Sequence, residues 1–121
     1  PLICYDLRFP ELFRHAADAT DLFVVIANWP DKRGHAWRTL LRARAIDGQA
    51  FALGVNRVGE AEGHHHRGDS ALVSPMGEVM VEESQRPAVV VGEVDPEEVR
   101  RVRERFGFLA DRRPQVYRSL E

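Results

Sequence analysis

Thiols are nearly absent from this chain: its 121 residues hold one cysteine, Cys4. That excludes an internal disulfide framework and points to a reducing compartment, the cytoplasm. Long apolar runs are missing too. Leu22–Ala27 and Ala88–Gly92 are strand-sized, far below the roughly 20 residues that span a bilayer, and no basic-then-apolar leader opens the chain. Nor is there an excess of charge of one sign: 17 Lys and Arg stand against 19 Asp and Glu, a net charge of −2. No overall field therefore favours nucleic acid or an anionic membrane. Internal repeats and low-complexity tracts are lacking. An initiator Met and a polar lead-in are lacking as well. Pro-Leu-Ile-Cys starts inside what reads as a strand, where termini seldom lie, so the start is read as a truncation, a processed end or the continuation of an upstream segment. What is present is an ordinary globular balance, 44% hydrophobic and 30% charged, enough for one domain with a single core.

Leu2–Cys4 reads as the end of a buried strand. Pro10 suits the first turn of a helix running to about Ala19, with Leu12, Phe13, Ala16 and Ala17 on one face. Leu22–Ala27 is continuously apolar and β-branched, the pattern of a strand covered on both faces. After the break at Asn28-Trp29-Pro30, a helix is predicted from about Lys32 to Gly48, with Trp37, Leu40, Leu41 and Ala45 on one stripe. Phe51–Asn56 is a further buried-type strand. Gly59–Gly68 reads as a polar loop. Ala71–Ser74 and Glu78–Glu82 form a hairpin about Pro75-Met76-Gly77, and Ala88–Val94 reads as a third strand there. Asp95 is a natural N-cap and Pro96 a first helical residue for a helix to Arg105. Gly107–Glu121 shows no periodicity. The order is β-α-β-α-β, then hairpin, strand and helix, an α/β layered architecture with an antiparallel portion appended. Two helices cover such a sheet poorly, so an upstream part or a partner chain is expected to supply the rest.

Cys4 sits at a strand end, a few residues before the helix that opens at Pro10. A strand–turn–helix elbow exposes a nucleophile at a sheet edge and offers backbone N–H groups to a developing oxyanion. The plain alternative is a small buried hydrophobe. A thiol nucleophile also needs a base. His15 and His35 lie in helices and His64–His66 in the polar stretch, and nothing local fixes any of them beside Cys4.

The segment Ile3–Glu11, ICYDLRFPE, resembles the nucleophile motif of the nitrilase superfamily of carbon–nitrogen hydrolases. The resemblance continues through Ala27–Gly59, Arg67–Val79 and Phe108–Arg118, in the family's order and over essentially the whole chain. Within the superfamily it is most similar to ω-amidase-like bacterial amidases. It implies that residues 1–121 are the C-terminal half of a single hydrolase domain, an αββα sandwich whose upstream half is absent. It also implies a Glu–Lys–Cys triad in which Cys4 is the nucleophile and the Glu and Lys precede Pro1. Neither Glu11 nor Lys32 matches their positions. In the intact enzyme the Cys4 thiolate attacks an amide, the Lys and the backbone N–H of Tyr5 stabilise the oxyanion, ammonia leaves, and water hydrolyses the thioester. No metal or organic cofactor is implied. The implied partners are a small carboxylate-bearing amide such as 2-oxoglutaramate, the missing half, and a second copy in a homodimer.

Further residues carry two readings each. Arg8 either anchors a substrate carboxylate by bidentate contact or pairs with Glu11 to fix the elbow. Asn28 and Trp29 end a core strand, where α/β sheets place ligand sites; otherwise Asn28 closes a turn and Trp29 packs. Arg44 falls on the apolar stripe of its helix and must be paired if buried, which suggests a structural ion pair, within the chain or across a dimer interface. Arg38 and Arg42 read as solvated. Three adjacent histidines do not converge on one tetrahedral metal, so His64–His66 read as a solvated loop. Arg67-Gly68-Asp69 is a chance adhesion tripeptide at a loop-to-strand junction. The alternatives to the amidase are a deaminated-glutathione amidase or carbamoylase, or an inactive chain with an interaction role only.

Overall fold

The three apolar runs of the first half become neighbouring parallel strands. In the computed structural model, which describes residues 1–118, β1 (Leu2–Ile3), β2 (Leu22–Ala27) and β3 (Phe51–Asn56) pair in parallel. The helices α1 (Pro10–Ala16) and α2 (Gly34–Gly48) return the chain between them. The predicted hairpin follows as β6 (Ser70–Val73) and β7 (Val79–Glu83), giving a mixed five-stranded sheet of order β1-β2-β3-β6-β7. No helix among the described residues is long and apolar enough to cross a membrane.

α1 and α2 cover one face of this sheet. Phe23 and Val25 of β2 meet Phe13, Trp37, Leu41 and Ala45 in one buried cluster, because alternate strand residues share a face and helix residues three and four apart share a stripe. Gly54 makes the close approach possible: a Cβ there would stand 2.7 Å from both Leu41 and Trp37. The opposite face is only partly covered. Val99 of α3 (Pro96–Arg105) seals one end of it against Phe51 and Leu72. Ile26 and Val55 stay 50% and 46% exposed. β2 is therefore buried on one face, not two as its composition suggested. Apolar sequence reports what a strand is able to bury, and the second layer is not supplied by these residues.

Other expectations are corrected as well. The first strand ends at Ile3, and Cys4 opens a 3₁₀ helix, Cys4–Arg8. Ala88–Val94 joins no ladder; Val89 and Val91 are 97% and 86% exposed, which a sheet strand with one buried face would not allow. The segment instead lies against the open face, where a Cβ on Gly92 would meet Leu72 at 2.8 Å. With Leu53, Val58 and Val81 it lines an apolar groove of about 780 Å³.

The polar stretch is not a loop but a hairpin, β4 (Val58–Ala61) and β5 (His64–Arg67). Its two-residue turn, Glu62-Gly63, has φ of 52° and 73°, the left-handed pair that matches hairpin twist. His66 is consequently buried, 2% exposed, while His65 pairs with Glu60 at 2.7 Å. In the tail, a short helix α4 (Pro114–Tyr117) forms where no periodicity was visible; positions 119–121 lie outside the described residues. Asp95 caps α3 as predicted, accepting from the Glu97 N–H at 2.9 Å.

Candidate active site

The register of the parallel strands places the candidate residues on one edge. Ile3 stands beside Ile26, and Ala27 beside Asn56. The chain therefore leaves β1 at Cys4, β2 at Asn28 and β3 at Arg57 on the same side, at the carboxyl ends of the strands, where open α/β sheets bind ligands.

Cys4 has φ 43°, a left-handed conformation that costs a non-glycine residue about 1 kcal/mol or more. The surrounding turn holds it there. The Ile3 N–H donates to the Asp6 carboxylate at 2.9 Å, and the Phe9 N–H to the Asp6 carbonyl at 3.0 Å. The Leu7 side chain is fully buried. Cys4 itself is partly buried, packed against the main cluster. Tyr5 occupies the first turn of the 3₁₀ helix, where backbone N–H groups lack intrahelical partners. Its ring is exposed and meets Phe9 edge-on at 5.4 Å.

Arg8 does not pair with Glu11. Its guanidinium lies over the Trp29 ring, 4.9 Å from the centroid, an arrangement that leaves its donors free at the surface. The Trp29 ring is 3% exposed, packed on Trp37 at 5.7 Å, with its Nε1–H donating to the Arg33 carbonyl at 2.8 Å. Trp29 is thus a floor beneath Arg8. Asn28 is exposed and does not close the turn; that task falls to Asn56. Its Oδ1 accepts from the Trp29 N–H at 2.7 Å, and its Nδ2 donates to the carbonyls of Trp29 at 3.1 Å and Gly68 at 2.8 Å.

Arg44 is buried, 5% exposed, but its main partner is not a carboxylate. Its Nε and Nη2 donate to the Leu7 carbonyl at 3.0 and 2.8 Å, it lies over the Phe13 ring, and Asp47 is no nearer than 4.0 Å. Burial pulls the guanidinium below its ordinary pKa, with Asp47 and Glu11 partly compensating. Arg38 is not simply solvated either: it pairs with Asp69, which is 3% exposed and also accepts from Arg67. Sequence reasoning missed Asn56 and the carbonyl bond of Arg44. A polar residue closing a core strand on the Cys4 edge was the available signal for Asn56.

No histidine, nor Glu11 or Lys32, is hydrogen-bonded or ion-paired to Cys4 among the described residues. Among those residues no group of three His, Cys, Asp or Glu is arranged to hold a metal ion. The apolar groove is not lined by Cys4, so the candidate nucleophile and this groove are separate.

A thiol held in a left-handed elbow between a strand and a helix is how α/β hydrolytic enzymes present a nucleophile. Residues 1–104 match the carbon–nitrogen hydrolase family, and the chain belongs to that family. An ω-amidase, YafV, of Yersinia enterocolitica is 44% identical over 113 residues, which are 92% of this chain and 44% of that protein. A 2-oxoglutaramate amidase of Bacillus subtilis is 36% identical over 117 residues, 96% of this chain and 45% of its own length. Among solved structures, the CN-hydrolase superfamily protein XC1258 of Xanthomonas campestris, which carries an arsenic adduct in its active site, superposes with a TM-score of 0.86. It is 38% identical, over 92% of this chain and 45% of that one. The chain therefore spans less than half the length of the curated relatives it matches.

Proposed function

We propose that Cys4 is the nucleophile of an amidase that hydrolyses a small carboxylate-bearing amide, with 2-oxoglutaramate the leading candidate. The observation that carries this reading is the left-handed φ of Cys4 at the carboxyl edge of the parallel strands, in a chain whose relatives include proteins named ω-amidase and 2-oxoglutaramate amidase.

The reaction is acyl transfer in two steps. The Cys4 sulfur, deprotonated by a base, attacks the amide carbon. The backbone N–H of Tyr5 donates to the oxyanion, and the amide nitrogen leaves as ammonia with the proton taken from sulfur. Water then cleaves the thioester to a carboxylic acid and restores the thiol. The base and a lysine that shares the oxyanion are the Glu and Lys implied by the family resemblance, outside these residues. Each oxyanion donor is worth about 3–4 kcal/mol of transition-state stabilisation. Arg8, held over Trp29 with free donors, takes the substrate carboxylate. Asn28 lies beside it on the same edge. The working unit in this reading is a homodimer of the complete domain, free of metal and organic cofactor.

The test is ammonia release from 2-oxoglutaramate by the protein expressed from its full coding sequence, compared with Cys4→Ala and Arg8→Ala. Cys4→Ala should lose at least about 10³-fold in kcat/KM, as removal of a nucleophile does. Arg8→Ala should raise KM for the carboxylate-bearing amide far more than for an uncharged one. Equal ammonia release by wild type and Cys4→Ala overturns the assignment, and preference for deaminated glutathione or a carbamoyl substrate moves it to another branch.

A further inference from the structure

Arg44 is a buried cation that the acyl-transfer scheme does not use. Its location has a cause in the covalent chemistry of the elbow. In the 3₁₀ helix Cys4–Arg8 each carbonyl seeks the N–H three residues on, and for Leu7 that residue is Pro10, which has none. The Leu7 carbonyl is thus orphaned at the end of the turn that carries Cys4. Arg44, 37 residues later, brings two donors to it, Nε at 3.0 Å and Nη2 at 2.8 Å. The guanidinium is clamped in turn, over the Phe13 ring at 5.3 Å and within 4.0 Å of Asp47. An ion pair for stability alone would put Arg44 on a carboxylate. Here the better bonds go to a backbone atom three residues from the thiol, despite the cost of burying the charge.

We infer that Arg44 is a positioning residue for Cys4: it replaces the N–H that Pro10 lacks and so fixes the turn that holds the thiol in its left-handed conformation. This role rests on the reading of Cys4 as nucleophile. It requires a planar donor fork at the end of a long side chain, which suits Arg better than Lys. Misplacement of a reacting atom by about 1 Å costs on the order of 100-fold in rate, so a loose turn should slow the chemistry while leaving substrate binding to Arg8 intact.

The test compares Arg44→Lys and Arg44→Met in the full-length protein. Lysine can still give one N–H to the Leu7 carbonyl, and methionine none. Two readings are taken on each: kcat and KM for ammonia release, and the rate of Cys4 alkylation by iodoacetamide across pH, followed by mass. The expected order in kcat and in alkylation rate is wild type, then Lys, then Met, the last down by about 100-fold, with KM within about threefold throughout. Rates of both variants within threefold of wild type overturn the inference. So do equal losses in Lys and Met, which would trace to shape, and parallel changes in kcat and KM. If neither variant folds, Arg44 is a stability residue and the inference fails. If wild type and Cys4→Ala release ammonia equally, the amidase reading falls by itself, and the alkylation order still decides whether Arg44 places the thiol.

Discussion

Asn56 holds the backbone of Trp29 from both sides: its Oδ1 accepts the Trp29 N–H at 2.7 Å while its Nδ2 donates to the Trp29 carbonyl at 3.1 Å. The same Nδ2 reaches the Gly68 carbonyl at 2.8 Å, and Ser70 Oγ accepts from the Asn56 N–H at 2.9 Å. The side chain therefore ties the exit of β2 to the exit of β3 and to the turn after β5, and the Asn56 backbone N–H adds the tie to β6. Asn56→Ala should destabilise the protein by about 2–4 kcal/mol, the loss of several bonds that leaves buried partners unpaired. Asn56→Asp should do no better, because it keeps the acceptor but turns a carboxylate oxygen toward two carbonyls. Urea denaturation of the three proteins checks this; an Asp variant as stable as wild type contradicts it.

Gly54 tests the packing of α2 on the sheet. A methyl there would stand 2.7 Å from Leu41 and Trp37, both fully buried, so a core side chain or α2 itself must shift to admit it. Gly54→Ala should cost about 1–3 kcal/mol by overpacking, despite the better strand propensity of alanine. A melting temperature equal to wild type would show that α2 shifts freely.

Strain at Cys4 gives a third expectation, independent of activity. Its φ of 43° suits glycine better than any L-residue. Cys4→Gly should therefore be more stable than Cys4→Ala by about 1 kcal/mol, the left-handed penalty, although glycine usually destabilises. Both should be inactive. Thermal melts of the two variants decide it, and Ala above Gly would mean that the elbow relaxes once the thiol is gone.

At the end of β7, the Arg86 guanidinium hydrogen-bonds the Glu83 carboxylate at 3.0 and 2.8 Å and holds its pKa below the ordinary 4.5. A depressed carboxylate contributes stability that is present above its unfolded value and is lost as pH falls through the lowered folded value. Wild type should thus melt above Arg86→Ala at neutral pH by a small margin, and the two should converge in acid. Melting curves between about pH 3 and pH 7 check the convergence; a gap that widens in acid contradicts it.

The sequence made some of this legible and hid the rest for identifiable reasons. β2 and β3 announced themselves as apolar runs of strand length, α2 by its apolar stripe, and Asp95-Pro96 marked the start of α3. Cys4 was legible as an elbow because a strand, a short turn and Pro10 succeed one another. The β4–β5 hairpin was hidden by its polar composition and by Glu62, a side chain seldom found at a left-handed turn position. Ala88–Val94 misled in the other direction: a valine-rich segment lies along a sheet face at Gly92 without joining its ladder, with Val89 and Val91 turned to solvent. Arg44 and Asn56 were legible as polar residues in apolar settings, but their partners are backbone atoms 37 and 27 residues away in sequence, and no spacing rule reaches that far.

The half-covered face of the sheet carries the last expectation. Ile26 and Val55 are about half exposed, Val89 and Val91 almost fully so, and the groove beside them is apolar. Contiguous apolar surface of this kind marks an association site or an aggregation liability, and β1 and β7 both present unpaired edges among the described residues. Residues 1–121 expressed alone should therefore self-associate, bind a hydrophobic dye, and lack a sharp reversible transition. Ile26→Lys and Val55→Lys should raise the soluble fraction, because they charge the open face without touching the cluster under α1 and α2. Light scattering and dye fluorescence read the outcome. A monomer with a cooperative, reversible melt would show that Val99 and residues 87–94 already cover the face well enough to stand as its second layer.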